Sequence, residues 1–338
     1  MASIAASSVS ADRASARPRA IANWLFAVAM LVFAMVVVGG ITRLTESGLS
    51  MVRWDPVTGI VPPLNDAEWQ AEFAAYRASP QYQLVNAGMS LAAFKGIFFW
   101  EYLHRLLGRL IGFAFALPLM WFAVTRAIPR GYGWRLTGLF VLGGLQGAVG
   151  WWMVASGLIN RPSVAHERLA VHLVLALILM SACVWTALDL VEPRRRKLAA
   201  WVAPFLLLLA LQIVWGAFTA GLRAGHAADT WPLVVGRLVP PLASLIDDPL
   251  SVQWLHRSLA WLVAGAALLV AWSSSKVGAG RRAGTVAALV ILQFVLGVLT
   301  VLHHVPIPLA AAHQAGAALL LAATIRLAHW TTSEAAVR

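Results

Sequence analysis

Charge is what this sequence has least of. Asp, Glu, Lys and Arg make up 12% of its 338 residues, about half the share usual in a soluble domain, which excludes an ordinary water-soluble globule. A hydrophobic fraction of 60% and a mean hydropathy of +0.75 belong to a chain that uses lipid as solvent. Acidic residues are scarcer than basic ones, 14 against 26, leaving a net charge of +12. In a soluble protein such an excess suggests nucleic acid. Here many basic residues occupy short tracts between apolar runs, the pattern of membrane topology, so nucleic acid is excluded as a partner. Cysteine is nearly absent. Cys183 stands alone inside an apolar stretch, which rules out an intrachain disulfide and any cysteine-ligated iron–sulfur or zinc site, and leaves it a packing residue.

What is present is a series of eight apolar runs, at approximately Ile21–Ile41, Ile97–Val124, Trp134–Ala155, Leu169–Leu188, Trp201–Ala220, Val252–Trp272, Val286–Leu302 and Leu309–Trp330. Each approaches or exceeds the roughly 20 residues a helix needs to cross a bilayer; the seventh is the shortest. The first run is too long for a signal-peptide core, so residues 1–20 read as a retained basic tail. Basic residues cluster in the tail (Arg13, Arg17, Arg19) and in the second (Arg126, Arg130, Arg135), fourth (Arg194, Arg195, Arg196, Lys197) and sixth (Lys276, Arg281, Arg282) connections. By the positive-inside rule both termini are cytoplasmic and the odd-numbered connections face outside. Two outer loops are long, Thr42–Lys95 and Leu222–Ser251, and within the first the stretch Asn65–Tyr76 has the pattern of a short amphipathic surface helix.

The chain repeats itself. Gly39-Gly40-Ile41-Thr42 resembles Gly216-Ala217-Phe218-Thr219; Glu101-Tyr102-Leu103-His104-Arg105 resembles Gln253-Trp254-Leu255-His256-Arg257; Leu145-Gln146 with Gly150 resembles Leu292-Gln293 with Gly297; and Ala170-Val171-His172 resembles Ala311-Ala312-His313. The matches keep their order at offsets of 177, 152, 147 and 141 residues. The fold class expected is therefore an all-α membrane protein, with eight transmembrane helices as two pseudo-symmetric four-helix bundles in parallel repeat. Its parts are a tail 1–20, a first half 21–190, a cytoplasmic linker 191–197 and a second half 198–331.

Four of the nine histidines, His104, His172, His256 and His313, sit inside apolar runs, on even-numbered spans and within a turn or two of their outer ends. A single intramembrane histidine is more often a hydrogen-bonding residue between helices than a ligand. Four at matching depth and matching repeat positions favour ligation of iron by pairs of neutral imidazoles, His104 with His172 and His256 with His313. No paired carboxylates stand beside them, which argues against a di-metal site. His166, His226, His303, His304 and His329 lie in loops or at ends and read as solvated.

Arg105, Arg109 and Arg257 follow the histidines closely. Arginine binds carboxylates such as haem propionates in bidentate fashion, and equally snorkels to an interface; for Arg105 and Arg257 the two readings balance, and for the deeper Arg109 a buried partner is favoured. Glu101 breaks the repeat, because Gln253 is its counterpart, and it lies one turn from His104 on the same helix face. Read functionally it is a proton acceptor or a stabiliser of a cationic intermediate; read alone it is an interfacial carboxylate paired with Arg105 or Lys95. Gly143, Gly147 and Gly150 form a small-residue stripe suited to close helix contact.

The run Gly39-Gly40-Ile-Thr-Arg-Leu-Thr-Glu-Ser-Gly-Leu-Ser-Met51, with Trp54, Pro56, Pro62-Pro63-Leu64, Phe94-Lys95-Gly96-Ile97, Trp100-Glu101-Tyr102-Leu103-His104-Arg105 and Gly108-Arg109, resembles the haem A synthase family of proteobacteria and mitochondria. Leu169-Ala-Val-His172-Leu173 and Ala312-His313-Gln314 extend the resemblance over roughly residues 21–330. It implies conversion of haem O to haem A, for use in terminal oxidases, by oxidation of one porphyrin methyl to a formyl group. It also implies a substrate haem between His104 and His172, a chemical requirement for Glu101, and a haem b between His256 and His313 that passes electrons on. A cell inner membrane location goes with it. So do partners: the farnesyltransferase that makes haem O, an electron acceptor, and further copies of the chain in a homo-oligomer. The cysteine pairs that some branches carry in the outer loops are missing, and Gly221–Pro232 departs from the usual loop. The residues by themselves leave two rivals open, a b-type cytochrome that only transfers electrons, for instance from quinol, and a transporter.

Overall fold

The computed structural model describes residues 16–54, 58–159, 161–192 and 201–331. The tail up to residue 15 with Arg13, Pro56, and the linker tract with Arg194, Arg195, Arg196 and Lys197 lie outside the described residues. Ten helices are formed among the described residues: α1 (Pro18–Leu44), α2 (Asp66–Arg77), α3 (Pro80–Leu84), α4 (Leu91–Val124), α5 (Gly133–Ile159), α6 (His166–Val191), α7 (Val202–Gly221), α8 (Pro249–Lys276), α9 (Gly280–Leu302) and α10 (Ile307–Thr331). All but α2 and α3 are long and apolar enough to cross a membrane, giving eight spans, and the described residues hold no strand beyond one isolated bridge between Val234 and Arg237.

Most helices overrun the apolar run they contain, because caps as well as hydropathy set their ends. Ser90 accepts the Ala93 N–H and starts α4 six residues before Ile97; Asp248 accepts the Ser251 N–H at 2.9 Å, with Pro249 in the first turn, and starts α8. The span expected to be shortest is 23 residues in α9, because it begins at Gly280; α7 is shorter, at 20. The early start of α4 also corrects the placement of one histidine. His104 lies thirteen residues beyond Leu91, about 20 Å along the axis, whereas His172, His256 and His313 lie six or seven residues beyond their helix starts.

The extra turns of α4 are covered by the first outer loop. Asn65 caps α2 by accepting the Glu68 N–H, and Glu68 in return accepts the Leu64 N–H at 2.7 Å. Phe73 and Tyr76 of α2 then pack on Phe94 and Phe98 of α4 as a separate small core. The Tyr76 hydroxyl donates to Gln81 and accepts from Asn86 at 3.0 and 2.8 Å, and burial pushes this phenol above its ordinary range. The amphipathic helix expected over Asn65–Tyr76 is thus α2, with its apolar face spent on α4.

Within the first half α1 packs on α4 and α6, and α5 on α4 and α6, closing a ring; α7, α8, α9 and α10 close a second ring in the same order. Contacts between the halves run from α10 to α1, from α6 to α7 and from α6 to α10, the pattern a two-fold exchange of halves produces. Ile21, Leu25, Val28, Val32 and Val36 recur at helical spacing along α1 and share one buried core with Leu177, Met180 and Cys183 of α6. In lipid such a core is held by close packing rather than by exclusion of water.

Candidate functional site

Each of the four intramembrane histidines faces a glycine of a neighbouring helix. A Cβ on Gly39 would come within 3.1 Å of His104, on Gly150 within 2.9 Å of His172, on Gly216 within 3.1 Å of His256 and on Gly297 within 3.0 Å of His313. At Gly150 a methyl would force a shift, and at the other three the imidazole would have to give by a few tenths of an ångström, so the glycines let the rings lie close against the neighbouring helix. Three of the histidines are also held through their backbone: Gln146 donates to the His172 carbonyl at 3.0 Å, Gln212 to that of His256 at 3.2 Å and Gln293 to that of His313 at 2.7 Å. For His104 the corresponding position is Met35, which lies against Gly108. The repeat contained the four glycines, Gln146 and Gln293, but sequence reasoning gave none of them a role toward the histidines; the signal of the glycines was that one recurs with each histidine.

The second pair fits an iron ligated from both sides. The rings of His256 and His313 stand 6.4 Å apart, centroid to centroid, and are perpendicular at 89°. An imidazole nitrogen lies about 2 Å from a metal it ligates, so two imidazoles on opposite sides of one ion place their ring centres about 6 Å apart. A cavity of about 310 Å³ opens beside them, walled by Gln212, Gly216, Gln293, Gly297 and the apolar side chains of α7 to α10, and reaching α1 at Val36, Gly40 and Arg43. The Nδ1 atoms of His172, His256 and His313 are buried without a hydrogen bond. An unpartnered imidazole nitrogen is costly in a low-dielectric interior. In the first half, His104 faces Gly39 of α1 and His172 faces Gly150 of α5.

Above these pairs the outer loops are clamped by equivalent residues. Arg105 donates to the carbonyls of Met51 and Arg53, both at 2.7 Å; Arg257 donates to those of Ala228 and Thr230 at 2.9 and 2.8 Å. The two sets of carbonyls are again 177 residues apart, so the repeat continues past the helices into Gly221–Pro232, the loop that looks divergent in sequence. Both guanidiniums thus anchor an outer loop, and Arg257 also lines the cavity beside His256 and His313. Arg109 lies one turn deeper than Arg105 along α4, half-buried.

Glu101 and Gln253 also reach these loops, with opposite polarity. Glu101 accepts from the Met51 N–H and the Ser50 hydroxyl, both at 2.8 Å, and from Arg105 at 2.6 Å. Gln253 donates instead, to the carbonyls of Ala228 and Gly225 at 2.9 and 3.2 Å. Glu101 is 3% exposed and sits one turn nearer the outer end than His104. A buried carboxylate thus stands over the first pair of imidazoles, and an uncharged amide over the second. Of the two pairings open for Glu101, Arg105 is the one formed; Lys95 lies instead over the ring of Trp69.

Two histidines expected to be solvated are not. His329 is fully buried, bonding Asp189 at 2.9 Å, and Asp189 also meets Arg135 at 2.6 Å. His166 is 7% exposed at the start of α6, near Glu167 and Asp247 and edge-on to Phe218, where Gly221 lets α7 approach closely. Both lie at helix ends that fold back on a neighbour, which apolar runs alone do not reveal. His226, His303 and His304 are exposed, as expected. The glycine stripe of α5 is not a close-packing seam: Gly150 faces His172, Gly143 barely reaches Leu179, and a Cβ on Gly147 would meet nothing within 4 Å.

These features define a multi-pass helical membrane protein with an internally repeated site of paired imidazoles. A family model, COX15-CtaA, cytochrome oxidase assembly protein, matches residues 22–325. Relatives named haem A synthase include that of Rhizorhabdus wittichii, 53% identical over 93% of this chain and 95% of the relative. That of Sphingopyxis alaskensis is 46% identical over 97% of each, and that of Parvibaculum lavamentivorans is 48% identical over 94% and 96%. The chain belongs to the haem A synthase family.

Proposed function

We propose that the chain oxidises the methyl substituent of haem O to a formyl group, giving haem A for terminal oxidases. In this reading residues 21–190 form the catalytic half, with substrate haem between His104 and His172. Residues 198–331 form the second half, with haem b between His256 and His313. Family membership supports the reaction, and the difference between Glu101 and Gln253 within otherwise matching clamps supports the division of labour.

The reaction balances with water as the oxygen source. The methyl and one water give an alcohol, two protons and two electrons. The alcohol gives the aldehyde with two further protons and electrons, through a hydrate that loses water. Electrons have to leave the substrate pocket and protons have to be taken up beside it. Haem b in the second half supplies one-electron redox capacity when bound. Glu101, fixed by Ser50, Met51 and Arg105, is the catalytic carboxylate: it stabilises positive charge developing on the substrate and accepts the released proton. Arg105 and Arg257 hold the outer loops over the two sites, and Arg109 pairs with a substrate propionate. The protein lies in the cell inner membrane with both termini cytoplasmic. Its partners are the farnesyltransferase that makes haem O, an electron acceptor, and further copies of itself.

Pigment extracted from protein co-produced with a haem O source tests this directly. Wild type accumulates haem A, and Glu101→Ala retains bound haem but leaves haem O unconverted. Equal haem A in that variant would remove Glu101 from the chemistry, and a wild type that binds haem without ever producing haem A would leave only electron transfer.

A further inference from the structure

The two halves differ where their second and third spans meet. In the second half Trp231 of the outer loop, Trp261 of α8 and Phe294 of α9 form one aromatic cluster, with ring centroids 6.1 Å (Trp231–Trp261), 6.3 Å (Trp231–Phe294) and 4.7 Å (Trp261–Phe294) apart. Trp231 and Phe294 wall the cavity that contains His256 and His313, while Trp261 is 55% exposed on the outer face of the bundle. The cluster therefore plugs the seam between α8 and α9 at the level of the imidazoles.

By the repeat offsets, the first-half counterparts are Trp54, Arg109 and Gly147. Trp54 does not cover the seam; it packs at a tilt against Trp151 at 4.9 Å, one turn nearer the outer end of α5. Gly147 is exposed, and a Cβ there, or on Gly144 or Gly112 nearby, would meet nothing within 4 Å. Helices α4 and α5 meet over much less of their length than α8 and α9, and they are bridged deeper down by Phe115 and Phe140, 5.9 Å apart. Between the Trp54–Trp151 pair above and the Phe115–Phe140 pair below, the wall beside Gly150 and His172 is thin.

We propose that this gap between α4 and α5 is a lateral entrance from the lipid. Through it, a porphyrin bearing a long isoprenoid chain enters the first-half site, with the chain lying against Gly144 and Gly147; the Trp231–Trp261–Phe294 plug makes the second site a closed one. The inference rests on the assignment of haem O as substrate of the first half. Its physical basis is that an apolar chain leaves and re-enters lipid freely through a side opening but not through the polar, clamped outer loops. A turnover site needs such exchange and a resident cofactor does not.

The test is haem exchange in the full-length protein, reconstituted in lipid nanodiscs. Loading of haem O from donor vesicles and loss of haem to apomyoglobin are followed by absorbance. Gly147→Phe rebuilds the plug and is expected to slow haem O loading by tenfold or more, while leaving the second-half haem spectrum unchanged. Gly147→Ala, for which there is room, loads like wild type. The reciprocal variant Phe294→Gly/Trp261→Ala is expected to lose its second-half haem to apomyoglobin at least tenfold faster than wild type. Loading of Gly147→Phe at the wild-type rate, in protein that still makes haem A, overturns the entrance and leaves the proposed function standing. An unaltered exchange rate in the reciprocal variant overturns the plug. If wild type takes up no haem O in its first half, the functional assignment itself fails, whereas the reciprocal variant still reads the plug.

Discussion

Glu46 and Arg223 occupy the same position in the two halves, 177 residues apart, and they form an ion pair with each other at 2.6 Å. Both follow the first span of their half, and both adopt a left-handed backbone, with φ of 56° and 53°. The pseudo-two-fold axis therefore passes between a carboxylate and a guanidinium at one shared backbone turn. Beside them Arg43 donates to the Ala220 and Gly221 carbonyls at 2.8 and 3.1 Å, satisfying the end of α7 from the other half.

The Glu46 and Arg223 side chains are 31% and 46% exposed, so Glu46→Gln should cost at most about 1 kcal/mol, and less in high salt. Arg43→Gln removes charged bonds to two carbonyls and should cost about 1.5–3 kcal/mol. Thermal unfolding in detergent at two salt concentrations checks both; a Glu46→Gln penalty as large as that of Arg43→Gln would contradict this ordering.

Gly297→Ala should disturb the second haem, because the new methyl would lie 3.0 Å from the His313 ring. The expected readout is a shifted low-spin spectrum with little change elsewhere. Gly138→Ala, where nothing lies within 4 Å, is the matched control and should leave the spectrum as in wild type.

Ser50→Ala deletes one of the donors to Glu101 and should cost about 1 kcal/mol of stability, with a partial loss of haem A formation. Glu101→Ala leaves the Arg105 guanidinium, 10% exposed, without its carboxylate and should destabilise more, by about 3 kcal/mol. The same residue therefore needs both a folding and an activity measurement, and Glu101→Gln, which keeps the shape, separates them.

Asp248→Ala should lower stability by about 1 kcal/mol through loss of the α8 cap. Bonds from the Ser251 hydroxyl and N–H hold the Asp248 carboxyl below its ordinary value. A depressed folded-state value means that the contribution is complete above about pH 4, the ordinary carboxylate value, and is lost as the pH falls through the lower, folded one. Wild type and variant should converge in acid, as unfolding midpoints measured across that range will show.

Much of the molecule was legible because the chain says most things twice. The eight spans follow from apolar runs, and the four histidines follow from their recurrence at two matching places in each half. The loop clamps did not show, because what Arg105 and Arg257 bind is backbone carbonyl, which carries no side-chain signature. Nor did the depth of His104, since α4 begins at a serine cap six residues before its apolar run. The burial of His329 was hidden for a related reason. It lies where α10 ends, and only the packing of α10 against α6 brings Asp189 to it.

That last contact has a mechanical meaning. His172 lies seventeen residues from Asp189 on α6 and His313 sixteen residues from His329 on α10, so each imidazole rides on a stem roughly 25 Å long. The two stems pack against each other and are fastened at the inner end by the Asp189–His329 bond. The distance between His172 and His313 is then set by paired rigid rods fastened at the ends remote from the imidazoles, not by the loops above them. A change in the outer loops would therefore leave the separation of the two stems as it is.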